Sequence, residues 1–202
     1  ILAEKGFKGF YSSSLFDFSQ EALEFFNQGL ELGRSFLQPK YWGQRGLDCL
    51  WQGIGAYLVS KPNIRYLFGP VSISGSFPKY AKDLIIAYYQ IYFNYDDNNK
   101  YAKAKSPYVC NPEVINYIKS TYPANQDDAF KVLRQELQEM NVQLPPLYKL
   151  YTDLCYTEGI MFLGFNIDSD FQDAVDGFIV IDLMFIKEKV KSRYLEGHSK
   201  LT

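Results

Sequence analysis

The chain has 202 residues, 47% hydrophobic and 17% aromatic, with a net charge of −2 and a pI near 5.5. That length suits one well-packed domain, and the near-neutral charge excludes the strongly basic face of a nucleic-acid binder. No apolar run approaches the ~20 residues that span a bilayer. Cys49, Cys110 and Cys155 are odd in number, far apart and without zinc spacing, as reduced intracellular thiols would be. The single histidine, His198, lies in a polar tail, which argues against Ser-His or His-ligated metal chemistry.

In chain order, "GFKGFYSSSLFDFSQEALEFF" reads as a strand end or loop leading into a short helix. Asp17 or Ser19 is the candidate cap, with Glu21 and Glu24 at the positive end of the dipole. "LELGRSFL" predicts a strand from Leu30 to Leu37, stopped by Pro39. Beyond Gly43 and Gly46, the spacing of Leu47, Leu50, Trp51, Ile54 and Leu58 predicts a helix ended by Lys61 and Pro62. "IRYLFGPVSIS" predicts a buried strand from Ile64 to Ile73. Ser76 and Pro78 then open a helix that runs to about Phe93.

"YDDNNKYAKAKSPYVC" is polar and reads as surface loop. Asn111-Pro112 starts one helix and Asp127 another, the latter with a stripe of Phe130, Leu133, Leu137 and Met140; "LPPLYKLYTDLC" is a third, begun by proline. "IMFLGFNI" and "GFIVIDL" predict two strands across a polar turn from Asp168 to Asp176, and a basic helix or tail closes the chain. The order implies one α/β domain with a mixed central sheet flanked by helices, and a helical insert before the C-terminal hairpin.

The strand at Leu30–Leu37 raises the functional question, because it carries Glu31 and Arg34. An odd spacing sends them to opposite faces, so they do not form an obvious ion pair. Glu31 is either a general base, taking a proton from an attacking amine directly or through water, or a polar residue bracing an edge strand. Arg34 offers a fork of donors to a carboxylate or phosphate, or it braces the fold. Gln44, Arg45 and Gly46 precede a helix, where backbone N–H groups and the dipole favour an anion; an ordinary helix entry is the alternative. Ser72 shares a strand face with Ser74 and can reach a thioester carbonyl or a leaving thiol; Ser74 is read as satisfying nearby backbone. Asp168, Asp170, Asp173 and Asp176 lack EF-hand spacing and read as a solvated turn; no metal is assigned. Lys40, Arg45, Lys61, Arg65, Lys79 and Lys82 either steer an acidic partner or are scattered surface charge. "YYQIYF" reads as core and pocket wall.

The segments "GFYSSSLFDFS", "LELGRSFLQPKYWGQRGLDCLWQGIGAYL…RYLFGPVSIS" and "LPPLYKLYTDLCYTEGIMFLGFNIDSDFQDAVDGFIVIDL" together resemble the GNAT-fold N-acyltransferases of the ornithine-lipid and glycine-lipid branch, often labelled hemolysins. That branch is similar in turn to the acyl-homoserine lactone synthases, which share a Glu-x-x-Arg. The resemblance implies transfer of a fatty acyl group, 3-hydroxylated or not, from acyl carrier protein to the amine of a small amino acid such as ornithine or glycine. It implies Glu31 as base, and Phe36 and Leu37 as contacts of the pantetheine arm. It implies no tightly bound cofactor, the donor being an acyl-phosphopantetheine on acyl carrier protein or acyl-CoA. The expected setting is the cytoplasm, with peripheral contact at the inner membrane face.

Two departures accompany it. The family's strands and amphipathic helix ahead of the "FYS" segment are missing from residues 1–202, which are read as one acyltransferase domain lacking its N-terminal strands. The Gln/Arg-x-x-Gly-x-Gly/Ala phosphate loop is reduced to Gln44, Arg45 and Gly46. The competing readings are a noncatalytic lipid- or membrane-associated module and a coenzyme A-dependent acetyltransferase.

Overall fold

In the computed structural model, residues 2–33, 35–41, 45–96 and 99–196 are described. The chain opens with α1 (Leu2–Lys5) and two 3-10 turns, Gly6–Gly9 and Tyr11–Ser14. There follow β1 (Phe16–Phe18), α2 (Leu23–Phe26), β2 (Gly29–Glu31), α3 (Gly46–Ser60), β3 (Tyr66–Ile73) and α4 (Lys79–Tyr92). Next come β4 (Asn94–Tyr95), β5 (Ala102–Ala104), α5 (Pro112–Thr121), α6 (Gln126–Glu139) and α7 (Pro146–Asp153). The hairpin of β6 (Ile160–Asp168) and β7 (Ala174–Asp182) leads to α8 (Glu188–Tyr194).

Five strands form one mixed sheet in the order β2-β3-β7-β6-β4, and β1 pairs with β5 in a small antiparallel ribbon. β2 and β3 are parallel, joined by α3, while β3, β7 and β6 are antiparallel. Period-2 alternation splits the side chains of β3 and β7 between two cores. Leu67, Val71, Ile73, Val175, Ile179 and Ile181 pack on the side of α3 through α7. Tyr66, Phe68, Phe178 and Val180 pack on the other, against Phe16, Phe25 and Phe26. That second core is largely aromatic, with edge-on pairs such as Phe26–Phe68 at 4.5 Å between ring centres.

The mixed α/β architecture, the insert of α5 to α7 and the long hairpin match the sequence reading. "YYQIYF" is core: Tyr88 and Tyr89 are buried, with rings 5.1 Å apart. Asn111 caps α5 by accepting from the Glu113 amide at 2.9 Å.

Several expectations are corrected. Among the described residues, the strand predicted over Leu30–Leu37 extends over Gly29–Glu31, where its pairing with β3 ends. The polar stretch before Cys110 is not all surface loop: Ala102 and Ala104 are buried as β5 while Lys103 faces out, an alternation that fits a half-buried strand. Ser19 does not cap with its side chain; its hydroxyl donates to the Lys100 carbonyl. Asp17 lies within β1, and Pro78 occupies the N-cap of α4 while Ser76 pairs with Ser74. Asp168 and Asp176 are buried members of β6 and β7, not a solvated turn.

Candidate active site

The site begins where β2 leaves β3. Glu31 is in register with Phe68, and the Leu32 amide donates to the Phe68 carbonyl at 2.7 Å. No strand follows among the described residues up to Tyr41, although β3 continues to Ile73. Gly69 sits at the divergence with φ +153°, and a Cβ there would lie 2.2 Å from the Leu32 carbonyl oxygen. The Tyr66 amide and the Phe68 carbonyl both point towards the β2 side. By alternation, Pro70 and Ser72 present their backbone groups to that same edge, past the end of β2. Proline fits such an edge because it has no N–H to leave unpaired.

Glu31 is half-buried at the apex of this splay. Its carboxylate accepts three hydrogen bonds: from the Tyr11 amide at 3.1 Å, the Ser12 amide at 2.8 Å and the Ser12 hydroxyl at 2.6 Å. Ser12 is fully buried, so the carboxylate also pins the Tyr11–Ser14 turn against β2. Beside it runs an open groove of about 760 Å³ whose walls include Phe7, Phe10, Leu23, Phe26 and Leu30. A carboxylate on the rim of an apolar groove can receive a proton next to a bound hydrocarbon chain.

Ser72 lies four residues beyond Phe68 on the same face, about 13 Å along the strand. It does not share the Glu31 groove. It opens on a separate cavity of about 440 Å³ with Ser74, Phe77, Gln143, Leu144 and Pro145 among its walls. Its hydroxyl donates to Asp176 Oδ1 at 2.5 Å. The two residues are register partners across β3 and β7, in the pair type that exchanges no backbone bonds and brings side chains close. Burial, with Asp168 nearby, pushes the Asp176 carboxyl up to about 6, against the lowering effect of the Ser72 hydrogen bond.

This raised value fixes a pH dependence. The folded chain holds its proton more tightly than the unfolded chain, so stability is complete below about 4 and falls as pH rises through about 6. Asp176→Asn removes that loss while its amide oxygen still accepts from Ser72. Above pH 6 it is expected to be more stable than wild type by about 2–3 kcal/mol in urea melts, the equivalent of a two-unit shift. The two proteins should converge at acid pH.

Only part of the loop ahead of α3 belongs to the described residues. Arg34 and Gln44 lie outside the described residues. Phe36 is 79% exposed and Leu37 half-buried, its methyls 3.2 Å from where a Gly46 Cβ would stand. The exposed Arg45 guanidinium donates to Asp48 at 2.7 Å. Asp48, in the first turn of α3, also accepts from Arg193 at 2.6 Å and Tyr194 at 3.0 Å, tying α8 to α3. The Arg45 hydrogen bond, ahead of those from Tyr194 and Arg193, holds the Asp48 carboxyl below its ordinary value. Its stabilising effect is therefore present above the ordinary carboxylate range and lost as pH falls. Asp48→Asn should melt below wild type at neutral pH, with the gap closing in acid.

Other predicted steering charges are engaged as well. Arg65 forks onto Asp182, Lys79 pairs with Asp83, and Lys82 donates to the Gly75 carbonyl. Sequence reasoning missed Asp176 and the Tyr11–Ser12 turn. The alternation Asp176, Phe178, Val180 does place Asp176 on the Phe178 face once the strand is extended back to Ala174.

The parallel pair β2–β3 diverges past Glu31, and α3 lies between the two strands in the chain. Residues 2–52 match the family described as Acetyltransferase (GNAT) domain. The chain is also similar to two proteins named glycine N(alpha)-acyltransferase. That of Bacteroides thetaiotaomicron is 28% identical over 92% of this chain and 56% of its own length. That of Phocaeicola vulgatus is 28% identical over 94% of this chain and 59% of its own length. The L-ornithine N(alpha)-acyltransferase of Brucella abortus is 40% identical over 38% of this chain and 27% of its own length. The chain thus spans little more than half the length of the two glycine enzymes. No solved structure is significantly similar to it.

Proposed function

We propose that residues 1–202 form one acyltransferase domain that moves a fatty acyl group, 3-hydroxylated or not, from a phosphopantetheine thioester to the amine of glycine or ornithine, yielding an N-acyl amino acid. The observation that carries this reading is the splay of β2 and β3, with Glu31 at its apex beside an apolar groove of about 760 Å³. The groove takes the acyl chain, and the free edge of β3 aligns an extended pantetheine arm along Pro70 and Ser72. Glu31 receives the proton that the attacking amine sheds. The family resemblance assigns Phe36, Leu37, Gln44, Arg45 and Gly46 to the donor arm and its phosphate, and Arg34 to an acceptor carboxylate.

Acyl carrier protein is the preferred donor over acyl-CoA. Its single phosphate asks less of a loop in which Arg45 is already held by Asp48. The reaction belongs in the cytoplasm, with the lipid product leaving at the inner membrane face; among the described residues no helix is long and apolar enough to cross a membrane.

The test supplies the intact protein with 3-hydroxyacyl carrier protein and glycine or, separately, ornithine, and reads products by mass spectrometry. An N-acyl amino acid is the expected product and names the acceptor. A folded protein that acylates neither amine but empties liposomes without any donor would replace this reading with a lipid-binding module. Tight acetyl-CoA binding with acetyl transfer would replace it with an acetyltransferase.

A further inference from the structure

We propose that Ser12 is a positioning residue for Glu31, locking its carboxylate so that Oε2, and not Oε1, receives the proton of the attacking amine. The inference rests on the acyl-transfer reading with Glu31 as base. It adds which atom accepts and what aims it.

Lone-pair accounting carries it. Each carboxylate oxygen offers two lone pairs to donors. Oε1 accepts twice, from the Ser12 amide at 2.8 Å and the Ser12 hydroxyl at 2.6 Å, so both of its pairs are taken. Oε2 accepts once, from the Tyr11 amide at 3.1 Å. Among the described residues no lysine or arginine pairs with Glu31, so one lone pair of Oε2 stays open. The Ser12 bonds hold the part-buried side of the carboxylate, whereas the Tyr11 bond lies on its exposed side. Glu31 is itself part of the groove wall. The open pair is therefore on the oxygen that a substrate can reach.

The turn that supplies these donors is fixed in its own right. Within Tyr11–Ser14, the Ser13 hydroxyl donates to the Phe7 carbonyl at 2.5 Å and the Ser14 hydroxyl to the Tyr11 carbonyl at 2.8 Å. Lys105 Nζ donates to the Ser13 carbonyl at 2.6 Å. Phe7 lines the groove, so one turn sets both a groove wall and the carboxylate. Of its three serines, Ser12 is the one whose hydroxyl meets Glu31, and it is fully buried, away from bulk water.

The amine attacks as the free base, its earlier proton lost to water. As its C–N bond forms, an N–H bond breaks, the electron pair stays on nitrogen and the proton bonds to Oε2. The thioester C–S bond breaks with its pair on sulfur. Oε2 then gives the proton to the thiolate, which restores the carboxylate. Without the Ser12 hydroxyl, each oxygen would accept one bond, and the carboxylate would have no unique orientation towards the amine.

The test uses the intact protein with 3-hydroxyacyl carrier protein and glycine or, separately, ornithine, below the melting range of every variant. Ser12→Ala should lose about 10- to 100-fold in kcat, the scale of a small misalignment, with KM for both substrates within about twofold of wild type. Ser12→Cys, whose thiol is a weak donor, should fall between wild type and Ser12→Ala, and it decides the matter if Ser12→Ala does not fold. A side chain that only filled space would move KM or the urea midpoint without grading kcat by donor strength. A folded Ser12→Ala or Ser12→Cys enzyme with wild-type kcat, or a loss confined to KM, overturns the inference and leaves the acyl-transfer reading standing. A wild-type protein that acylates neither amine overturns that reading, and this inference with it.

Discussion

If Glu31 is the base of the proposed acyl transfer, Glu31→Gln should leave the protein folded and slow that transfer by about 100- to 10,000-fold, the usual yield of a positioned general base. Glutamine has the shape of glutamate, so one oxygen still accepts from the Ser12 amide and hydroxyl. The other position becomes an NH₂ group facing the Tyr11 amide, and that bond is lost. The structural cost is about 1–2 kcal/mol, visible as a lower urea midpoint. The chemical cost is read by single-turnover transfer at saturating acceptor, below the temperature at which the variant begins to melt. The two effects separate because a brace acts on stability and a base acts on rate. A variant with a lowered midpoint and a wild-type rate would assign Glu31 to the fold alone.

Gly69→Ala should lower the unfolding free energy by about 3 kcal/mol or more, combining backbone strain with overpacking against rigid atoms. At φ +153° an L side chain is strained, and the atom it meets at 2.2 Å is a backbone carbonyl that cannot rotate away. Relief requires Leu32 to leave the sheet, which breaks its amide bond to Phe68 and moves the apex of the splay. Acyl transfer should fall together with stability. Gly53→Ala is the control, because nothing lies within 4 Å of a Cβ at that position. Alanine is also the better helix former by about 1 kcal/mol, so the control should be neutral or stabilising. Equal urea midpoints for Gly69→Ala and Gly53→Ala would show that Leu32 does not hold that close approach.

Much of the frame was legible. α3 and the helices from α4 to α7 follow apolar spacing or start signals, and local chemistry fixes such features within a few residues. Asn111-Pro112 is the clearest case, since cap and proline act on the same turn. The β6–β7 hairpin was legible because both faces are buried and the runs are almost wholly apolar. Glu31 was visible as the lone carboxylate of its predicted strand, whereas the aromatics that line the groove beside it were not singled out.

What hid was set by partners distant in sequence. β2 stops after three residues because Gly69, nearly forty residues on, admits the Leu32 carbonyl and ends the pairing. β5 exists because β1 lies against it, with Ala104 opposite Phe16. Asp176 looked like turn because aspartates surround it; only its register with Ser72 and Asn166 draws it inside. The three hydrogen bonds on Glu31 come from a turn nineteen and twenty residues upstream, which no spacing rule anticipates.

Pro70 carries a consequence for solubility. An exposed strand edge invites another strand to add to it, which is a common route to self-association. A pantetheine arm asks little of that edge, because it needs only scattered amide partners. An incoming polypeptide strand would need every donor in turn, and the first such position past the apex has none. Under the proposed reading, the proline keeps this edge usable by a thin pantetheine arm while disfavouring the addition of another polypeptide strand, and so lowers the tendency to self-associate.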